Sequence, residues 1–516
     1  MLLRPCFCPP IFSELAAILG RPHDDGMMLG HVSLVLGLPQ GHGTSSLGHG
    51  PSASPSSSSP SPSPLALAPE NTRVLRGDWL AVLIGKDIFS VESYGAKGAT
   101  LAWITIWLST HTPPFAPSIA GDGWTDDTPS IQKAIDACVH SGGEVRFQAH
   151  KVYLSRSLKI EGSHCALNLP HGAIVKFDDN PNSYDHSSHL IGVKGNHIAI
   201  VGGGVFDGQG KKWWDGKICS KAQIAAAIIS RRREDDCWRP RLLSVEDSEH
   251  ILLQGVTWKD SPDHVLEMYS DFTEIDHVTV LAPPSETEVA VDGTSGPSHN
   301  TDAVDVHGTP FYIHDCHFDT GDDNVAVHAS HLLVENCYFG HGHGTSIGSC
   351  DSDTALENIT FRNIVFNSTT AAMRIKTRPG AKNAYVRDCL WENLTLHDVR
   401  TTVLIDMFYD HGHNETTDFD VSNITVRNVK AYGTVNTETD KDVTPGFLNC
   451  QETSPCHKIH LEHIHQVDNP DYPFECSNAY GTWVDVQPQP CLKPEWMYEE
   501  RYMSAPGKPS PSPAPH

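Results

Sequence analysis

The sequence predicts an all-β protein that folds as a parallel β-helix with one capping helix near the start of the folded region. Short apolar runs that close with Gly, Asn or Asp follow one another through most of the chain. The tightest pair of equivalent positions, Phe311 and Leu332, sets a coil period of roughly 20 residues, which is within the range typical of solenoids. A strand and turn repeated at such a period stack into a solenoid, in which equivalent residues form ladders along the axis.

One amphipathic helix precedes these runs, in the segment TDDTPSIQKAIDACVHSGG. A Thr/Asp cap starts it and two glycines end it. Four apolar residues lie on one helical face: Ile131, Ala134, Ile135 and Cys138. We expect this helix to cover the N-terminal end of the solenoid, because an open sheet edge there would expose unpaired backbone groups.

The chain divides into three parts. Residues 1–86 contain the tract SASPSSSSPSPSPLALAP, which cannot form a packed core; we leave them unassigned and expect disorder or a faulty gene start. Residues 87–495 are predicted to form the β-helix. Within them, residues 99–121 are an anomalous and mostly apolar insertion, for which we expect a translated intron. Residues 496–516 end in GKPSPSPAPH and are expected to be a disordered tail.

The charge balance limits the partners of the chain. The formal net charge is -26, and binding to nucleic acid or to an anionic membrane surface needs basic residues. No apolar run approaches the ~18 residues that a membrane-spanning helix needs. We therefore expect no nucleic-acid partner, no membrane partner and a monomer.

The 14 cysteines are many for a cytosolic protein. No paired Cys-x-x-Cys motif is present, so a structural zinc site is not expected. Close spacing predicts three disulfides: Cys219/Cys237, Cys450/Cys456 and Cys476/Cys491. Three cysteines at equivalent places in their repeats are expected to be stacked, buried thiols: Cys316, Cys337 and Cys389.

Asn-x-Ser/Thr sequons point to export from the cell. Five occur in a short span, at Asn358, Asn367, Asn393, Asn414 and Asn423. Together with the cysteines they indicate a secreted glycoprotein. The first residues of the chain are broken by prolines and make a poor signal peptide.

Acidic residues recur at the coil period. Asp302 comes one period before Asp322, and His343 comes one period after Asp323. These side chains should return to one angular position on consecutive coils, ~4.8 Å apart. Carboxylates that close cannot all ionise easily, so at least one pKa should rise. The pattern suits a glycosidase, a calcium site, or turn residues that satisfy backbone groups.

A pair of cations follows further along. Arg374 and Lys376 alternate on a strand and so share a face, and Tyr409 follows Lys376 after a whole coil and a longer loop. Cations next to an acidic patch either pair with it or hold a substrate carboxylate. If they hold a substrate carboxylate, they form a local basic subsite for an anionic polymer, although the net charge of the chain is negative.

Four ordered segments carry a resemblance to a known family. NTDAVDV, GDDNVAV, GHGHGTSIGS and RIKT look like the signature segments of the polygalacturonases, glycoside hydrolase family 28, and the similarity covers roughly residues 89–440. The resemblance implies a right-handed, single-stranded, pectin-lyase-like parallel β-helix. It also implies inverting hydrolysis of α-1,4-galacturonosidic bonds in pectin or polygalacturonate, with no cofactor and no metal.

The resemblance also implies the roles of residues at the site. Asp322 resembles the general acid, Asp302 and Asp323 resemble the pair that activates water, and His343 resembles the histidine that tunes the protonation of the acid. The substrate-binding set contains the residues that grip the uronate carboxylate and touch the sugar: Arg374, Lys376 and Tyr409. The expected partner is an anionic polysaccharide outside the cell, in the cell wall.

Three positions near the motifs depart from the family pattern. Asn324 stands in place of a cysteine, Gly321 stands where many endo-acting members have Gln, and Ala303 stands in place of a frequent Gly. The acids themselves are all present. These departures leave the choice between endo and exo attack open.

Alternative functions differ in what they need from the site. An exo-acting or related pectic-backbone hydrolase would keep all the motifs. A calcium-dependent pectate lyase would not need His343, and a non-catalytic carbohydrate-binding β-helix would tolerate loss of an acid. The loops that would decide between endo and exo attack are 217–237, 285–300 and 410–418.

Overall fold

Strands make up most of the structure, which is a computed structural model. It describes residues 87–96, 99–100, 123–184, 189–214, 238–283, 298–409, 416–433, 444–467 and 473–503. All of these lie within the unit Pro62–His516. Within the described part of the chain, no helix is long and apolar enough to cross a membrane.

The strands in chain order are β1 (Ile88–Ser90), β2 (Ala99–Thr100), β3 (Gly143–Arg146), β4 (Lys151–Ser155), β5 (Leu158–Glu161), β6 (Cys165–Leu169), β7 (Ile174–Phe177), β8 (His189–Lys194), β9 (Asn196–Gly202), β10 (Val205–Asp207), β11 (Arg241–Gln254), β12 (Thr257–Lys259), β13 (Leu266–Asp276), β14 (Thr279–Leu281), β15 (Val304–Val306) and β16 (Phe311–His314). They continue as β17 (His317–Thr320), β18 (Val325–Val327), β19 (Leu332–Glu335), β20 (Tyr338–His341), β21 (Thr345–Cys350), β22 (Ala355–Asn367), β23 (Ala371–Thr377), β24 (Tyr385–His397), β25 (Thr401–Asp406), β26 (Asp420–Tyr432), β27 (Thr444–Asn449), β28 (Cys456–Gln466), β29 (Glu475–Ser477), β30 (Ala479–Gln487) and β31 (Lys493–Pro494). The helices are α1 (Thr128–Ser141), α2 (Lys211–Trp214) and α3 (Glu495–Tyr498).

These strands form three parallel sheets around one core. In the middle of the solenoid, β16, β17 and β18 form one coil, and they pair in parallel with β19, β20 and β21 of the next coil. We name as the first sheet the column that contains β16 and β19, and as the second sheet the column that contains β17 and β20. The third sheet is the column that contains β15, β18, β21, β23 and β25. The short strand β2 runs antiparallel to β4. The fold is the right-handed parallel β-helix that the sequence predicts, so that prediction is confirmed.

Polar residues with a left-handed backbone turn the chain between the first two sheets. Asn336, Asn363, Asn393 and Asn428 have φ of 55 to 57°, a conformation that Asn tolerates better than most residues. Their amides form a ladder, because each of the last three donates to the residue one coil earlier, at 3.0 to 3.1 Å. This ladder explains why Asn or Asp interrupts so many of the apolar runs.

Several hydrogen bonds between neighbouring coils use the sequon nitrogens that glycosylation would modify. Asn393 Nδ2 donates to Asn363, Asn367 Nδ2 donates to the Tyr338 hydroxyl at 2.8 Å, and Asn423 Nδ2 donates to Asp388. Asn414 lies outside the described residues. Glycosylation of the chain therefore stays a prediction.

Apolar residues stack in the core from coil to coil. Phe318 and Phe339 stack with ring centroids 5.5 Å apart, and Phe366 meets Phe339 edge to face on the next coil. Ladders of this kind bury one side of every strand, and the buried side sets which residues face outward.

The predicted capping helix is present as α1. It packs against β3 and β5, and the predicted apolar face is buried: Ile131, Ala134, Ile135 and Cys138. The carboxylate that accepts the Thr128 N–H at 3.0 Å belongs to Asp126. The helix ends at Gly142, which has a φ of 74°.

The cysteines follow the predictions in part. Cys450–Cys456 and Cys476–Cys491 are disulfides, as predicted, whereas Cys219 and Cys237 lie outside the described residues. A third disulfide, Cys138–Cys165, joins α1 to β6 and was not predicted.

Free thiols are buried at the three expected positions. Cys316 and Cys337 lie at equivalent places on neighbouring coils. The expectation that Cys389 continues their ladder is wrong, because Cys389 pairs in register with Ile359 and so belongs to another ladder.

The ends of the chain differ from the expected division. Residues 1–86 and 101–122, which include nearly all of the anomalous insertion, lie outside the described residues. The tail expected to be disordered from residue 496 instead includes part of α3 and a short π-helix over Glu499–Met503. Tyr498 in α3 stacks on His457 with ring centroids 4.1 Å apart, which holds this segment to the last coils. The prediction of disorder is wrong for residues 496–503.

Candidate active site

A buried apolar ladder in the third sheet determines which residues of its strands point outward. Val306, Val327, Ile347 and Ile375 occupy one register position on β15, β18, β21 and β23. Residues on either side of this ladder point outward. Arg374 and Lys376, which flank Ile375, therefore share the outer face as the alternation predicts.

The predicted acids lie in the turns that enter these strands. Asp302 precedes β15, Asp322 and Asp323 precede β18, and His343 precedes β21. Backbone hydrogen bonds link the turns, because Ala303 N donates to Asp323 O and His343 N donates to Asp322 O, both at 2.9 Å. The spacing of one coil period therefore places these residues on consecutive coils, as expected.

Asp323 is the most enclosed of the acids. Its carboxylate accepts hydrogen bonds from Lys376 Nζ at 2.9 Å and from the Ser346 hydroxyl at 2.7 Å, and Arg374 Nη1 lies 3.5 Å away. Burial alone would raise the pKa of Asp323, but the charges of Lys376, Arg374 and His343 hold it well below its usual value. Asp323 is therefore ionised.

His343 links the two neighbouring acids. Its Nδ1 lies 2.8 Å from Asp322 Oδ1 and 3.6 Å from Asp323 Oδ1. Burial opposes the charged imidazole, yet the two carboxylates raise the pKa of His343 to about 9. Burial raises the pKa of Asp322, but the hydrogen bond and charge of His343, together with the charge of Lys376, outweigh it and lower the pKa of that carboxyl.

Asp302 is the acid whose pKa rises. Burial and the nearby charge of Asp322 raise the pKa of Asp302 well above its usual value. The prediction that one carboxyl in the cluster has a raised pKa is confirmed. The role of general acid, which the resemblance implies for Asp322, needs a protonated carboxyl, whereas in the free protein His343 favours the ionised form of Asp322.

Tyr409 closes the basic side of the site. Its ring centroid lies 5.5 Å from Arg374 Cζ and 5.3 Å from Lys376 Nζ. A ring beneath two cations attracts them through its quadrupole and holds their side chains in place. The structure thus brings all seven predicted site residues together on the third sheet and its adjoining turns.

Two of the departures from the family pattern have structural roles. The Asn324 amide donates to Gly340 O at 3.2 Å and accepts from Gly344 N at 3.0 Å, so it ties two coils together beneath the acids. A side chain at Gly321 would come within 2.4 Å of the backbone oxygen of Ser298. Glycine is therefore required where the turn before the acids meets residue 298.

Sequence reasoning missed a histidine beside Asp302. His264 precedes β13 and lies opposite Asp302 on the neighbouring coil, with Val265 N donating to Asp302 O at 2.9 Å. The signal was hidden because the interval between His264 and Asp302 is much longer than one coil period. That interval includes residues 284–297, which lie outside the described residues.

Four groups of side chains among the described residues have ligand atoms within 4.8 Å of one another. Two of them lie near the third sheet: Asp322, Asp323 and His343, and Asp305, His307 and His328. In the first group, His343 and Lys376 already supply positive charge to both carboxylates. In the second, His264 lies 3.2 Å from Asp305. A divalent cation would have to compete with these cations, so both sets suit proton transfer and ion pairing better than calcium binding.

Comparison with known proteins places the chain in a family. The model of the family described as "Glycosyl hydrolases family 28" matches residues 145–485, which is more than half of the chain. A probable polygalacturonase from Arabidopsis thaliana is 28% identical over 359 residues, which cover 66% of this chain and 70% of that protein. An exopolygalacturonase of Rhizopus delemar is 27% identical over 358 residues, which cover 66% of this chain and 83% of that one.

Solved structures share the fold. The exopolygalacturonase from Thermotoga maritima aligns with a TM-score of 0.55 at 19% identity, over 80% of this chain and 94% of the other. The polygalacturonase from Erwinia carotovora aligns with a TM-score of 0.54 at 22% identity, over 73% of this chain and 99% of the other. The four signature segments, the β-helix and the family match agree, and the chain belongs to the glycosyl hydrolases of family 28.

Proposed function

We propose that this glycoside hydrolase cleaves α-1,4-galacturonosidic bonds in polygalacturonate with inversion. One observation carries the proposal, namely that three carboxylates converge on the outer face of the third sheet next to Arg374 and Lys376. Related family members named polygalacturonase support the same substrate class. An anionic polysaccharide fits a site that combines acids for bond cleavage with cations for a uronate.

In this single-displacement hydrolysis, one carboxyl acts as the general acid and another as the general base. Asp322 gives its proton to the glycosidic oxygen as the bond from that oxygen to the anomeric carbon breaks. Water attacks the same carbon from the opposite face and passes a proton to Asp302 or Asp323. In inverting enzymes the acid and the base stand ~6.5–9.5 Å apart so that this water fits between them.

The proton must lie on Asp322 when the bond breaks. In the free protein Asp302 has the raised pKa and Asp322 the lowered one. The two carboxyls interact, so a single proton belongs to the pair rather than to one residue. Movement of that proton from Asp302 to Asp322 produces the acid and a base together, with no change in the net charge of the site.

The cations provide the subsite for a uronate. Arg374 and Lys376 share one buried carboxylate, Asp323, which leaves a surplus of positive charge on their side of the acids. Arg374 Nε is buried and has no hydrogen-bond partner among the described residues. A substrate carboxylate would accept from this guanidinium and compensate the surplus charge.

A second candidate is exo attack on the same polymer. The Rhizopus delemar relative is named an exopolygalacturonase. The loops that would close one end of the cleft, 217–237, 285–300 and 410–418, fall mostly outside the described residues. Product length decides between the two modes of attack.

The test uses the full chain with polygalacturonate and a chelator. New reducing ends without ultraviolet absorbance from unsaturated ends would support metal-independent hydrolysis, and Asp322→Asn should abolish them. Asp319→Asn is a matched control, because Asp319 also bonds an imidazole, that of His341, at 2.7 Å. Absorbance that disappears with the chelator would instead indicate a lyase, and a folded but inactive wild type would refute the proposed substrate.

We also propose that the enzyme is secreted and acts as a monomer, and that residues 99–121 are a translated intron that the natural protein lacks. Disulfides among the described residues support an oxidising compartment. Fractionation of the source culture and light scattering test the first two points. Mass spectrometry of the natural protein tests the third, because any peptide from within residues 99–121 would contradict it.

A further inference from the structure

A second imidazole, that of His264, lies beside Asp302, one of the two candidate bases. His264 Nε2 lies 3.7 Å from Asp302 Oδ1, and His264 Nδ1 lies 3.2 Å from Asp305 Oδ2. Among the described residues, no other basic side chain forms an ion pair with Asp302. His264 therefore bridges two carboxylates as His343 bridges Asp322 and Asp323.

The chain around His264 holds it in this position. The Ser261 hydroxyl donates to His264 O at 3.0 Å, and Arg239 donates to the backbone oxygen of Pro262 at 2.9 Å and pairs with Asp263. The turn before β13 is thus held on both sides. A fixed turn places the imidazole over Asp302 without help from the substrate.

The charges that face this pair come from several strands. Asp302 and Asp305 raise the pKa of His264 well above its usual value against the effect of burial, with a further contribution from Asp263. Asp302 is faced by Asp322, Asp305 and Asp323, which favour its neutral form, and by His264, which opposes them. Glu267, on the strand next to Asp305, pairs with Arg241 at 2.8 Å, and His307 stacks on Tyr269 beyond Asp305.

We propose that His264, as the imidazolium, is a positioning residue that holds Asp302 and favours its ionised form, so that the proton shared among the acids can lie on Asp322. The inference rests on the proposed hydrolysis of polygalacturonate. His343 stabilises the ionised form of Asp322, and His264 stabilises the ionised form of Asp302. The balance between these two imidazoles decides which carboxyl holds the proton when the substrate is bound.

The test is the pH profile of kcat/KM on polygalacturonate for His264→Asn and His264→Lys in the full chain. Loss of an opposite charge at this distance raises a carboxyl pKa by about 1 unit. A base must be ionised to accept a proton, so the acidic limb of the His264→Asn profile should move up by about 1 pH unit. His264→Lys retains a positive charge and should keep the limb near its wild-type position.

A matched control separates this effect from lost stability. His314 is also a buried imidazole among carboxylates, with Nε2 3.1 Å from Glu274 and Nδ1 2.8 Å from Asp315 and 3.5 Å from Asp276, but it lies on the first sheet. His314→Asn should lower the melting temperature without moving the pH limb. Equal stability losses with unmoved limbs in both Asn variants would overturn the proposal, as would a His264→Lys profile that shifts as far as that of His264→Asn.

Two further outcomes stay informative. If His264→Asn does not fold, His264→Gln takes its place, with the same expected shift. If wild-type protein is inactive on polygalacturonate, the proposed function fails. Carbon-13 NMR titration of the aspartate carboxyls then tests the inference alone, because His264→Asn should raise one of the carboxyl pKa values and leave the others near their wild-type values. If no carboxyl pKa rises in His264→Asn, the inference is overturned.

Discussion

Lys376 Nζ lies 2.9 Å from Asp323 Oδ2, and both side chains are almost completely buried. Removal of one partner from a buried ion pair leaves the other charge uncompensated and costs ~3–5 kcal/mol. We therefore expect Lys376→Met to lower the free energy of unfolding by that amount and to abolish activity. Denaturant unfolding followed by circular dichroism measures the first effect, and a reducing-end assay measures the second.

Lys194→Met is the control for the change from Lys to Met. Lys194 pairs with Asp247 at a similar distance, 2.7 Å, but both side chains are exposed. Exposed pairs contribute little to stability, so this variant should unfold like the wild type. Equal losses in the two variants would show that burial of the Asp323 pair has no special effect.

Arg374 is expected to act on the substrate more than on the fold. A hydrogen bond to a charged group contributes ~1.5–3 kcal/mol, so Arg374→Gln should lower kcat/KM on polygalacturonate by roughly 10- to 100-fold. The loss should be smaller on methyl-esterified pectin, because an esterified sugar has no carboxylate for Arg374 to bind. Steady-state kinetics on both polymers measures the difference.

Arg362→Gln is the control, because Arg362 pairs with Glu335 at 2.7 Å on the first sheet, away from the acids. Its kinetics should match the wild type on both polymers. An Arg374→Gln variant that loses the same factor on both polymers would argue against contact with a uronate carboxylate.

The sequence was sufficient for the fold and for most of the site because both depend on short periods. Alternation of apolar residues sets which side of each strand is buried, and the regular coil period returns Asp302, Asp322 and His343 to one patch. The shared face of Arg374 and Lys376 could be predicted from the alternation of side chains along a strand alone. These relationships are local or strictly repeated, so they are visible without coordinates.

The remaining features depend on irregular parts of the chain. The interval between His264 and Asp302 is much longer than one coil period, so the repeat does not reveal that they are neighbours. The Cys138–Cys165 disulfide depends on how α1 packs against β6, which the spacing of 27 residues does not reveal. The raised pKa of Asp302 depends on burial and on the charge of Asp322, which outweigh the opposing His264 contact at 3.7 Å, and neither burial nor such distances can be predicted from the sequence.

His343 makes stability depend on pH. Its pKa in the folded protein is about 9, against an unfolded value of 6.5. A raised histidine pKa contributes stability that is fully present below pH 6.5 and is lost as the pH rises through about 9. One pKa unit corresponds to ~1.4 kcal/mol, so the unfolding free energy should fall by roughly 3 kcal/mol across this window.

Denaturant unfolding at pH 6 and pH 9 measures this loss, and His343→Asn should reduce it strongly. His460→Asn is a control, because His460 contacts the Thr482 hydroxyl rather than a carboxylate. If His343→Asn retains the full pH dependence of the wild type, another group is responsible for it.

Asn393 tests the polar ladder. Its φ is 57° and its side chain contacts Asn363 and Asn428. A left-handed backbone costs most non-glycine residues ~1–2 kcal/mol, so Asn393→Ala should be less stable than Asn393→Gly by about that amount. Both variants lose the ladder hydrogen bonds and the sequon. The difference between their urea midpoints therefore measures the cost of the left-handed backbone conformation alone. Equal midpoints would contradict the role given to the left-handed turn.

The disulfide between α1 and β6 should contribute more stability than the one near the end of the solenoid. Cys138–Cys165 closes a loop of 27 residues and Cys450–Cys456 closes one of 6. Loop-closure entropy in the unfolded chain gives ~3.5 kcal/mol for the first and ~2.2 kcal/mol for the second. Double Cys→Ala variants of each pair, unfolded in denaturant, should therefore differ by about 1 kcal/mol. A larger loss for the Cys450–Cys456 pair would mean that contacts in the native state, rather than the loop length, control the contribution of these crosslinks.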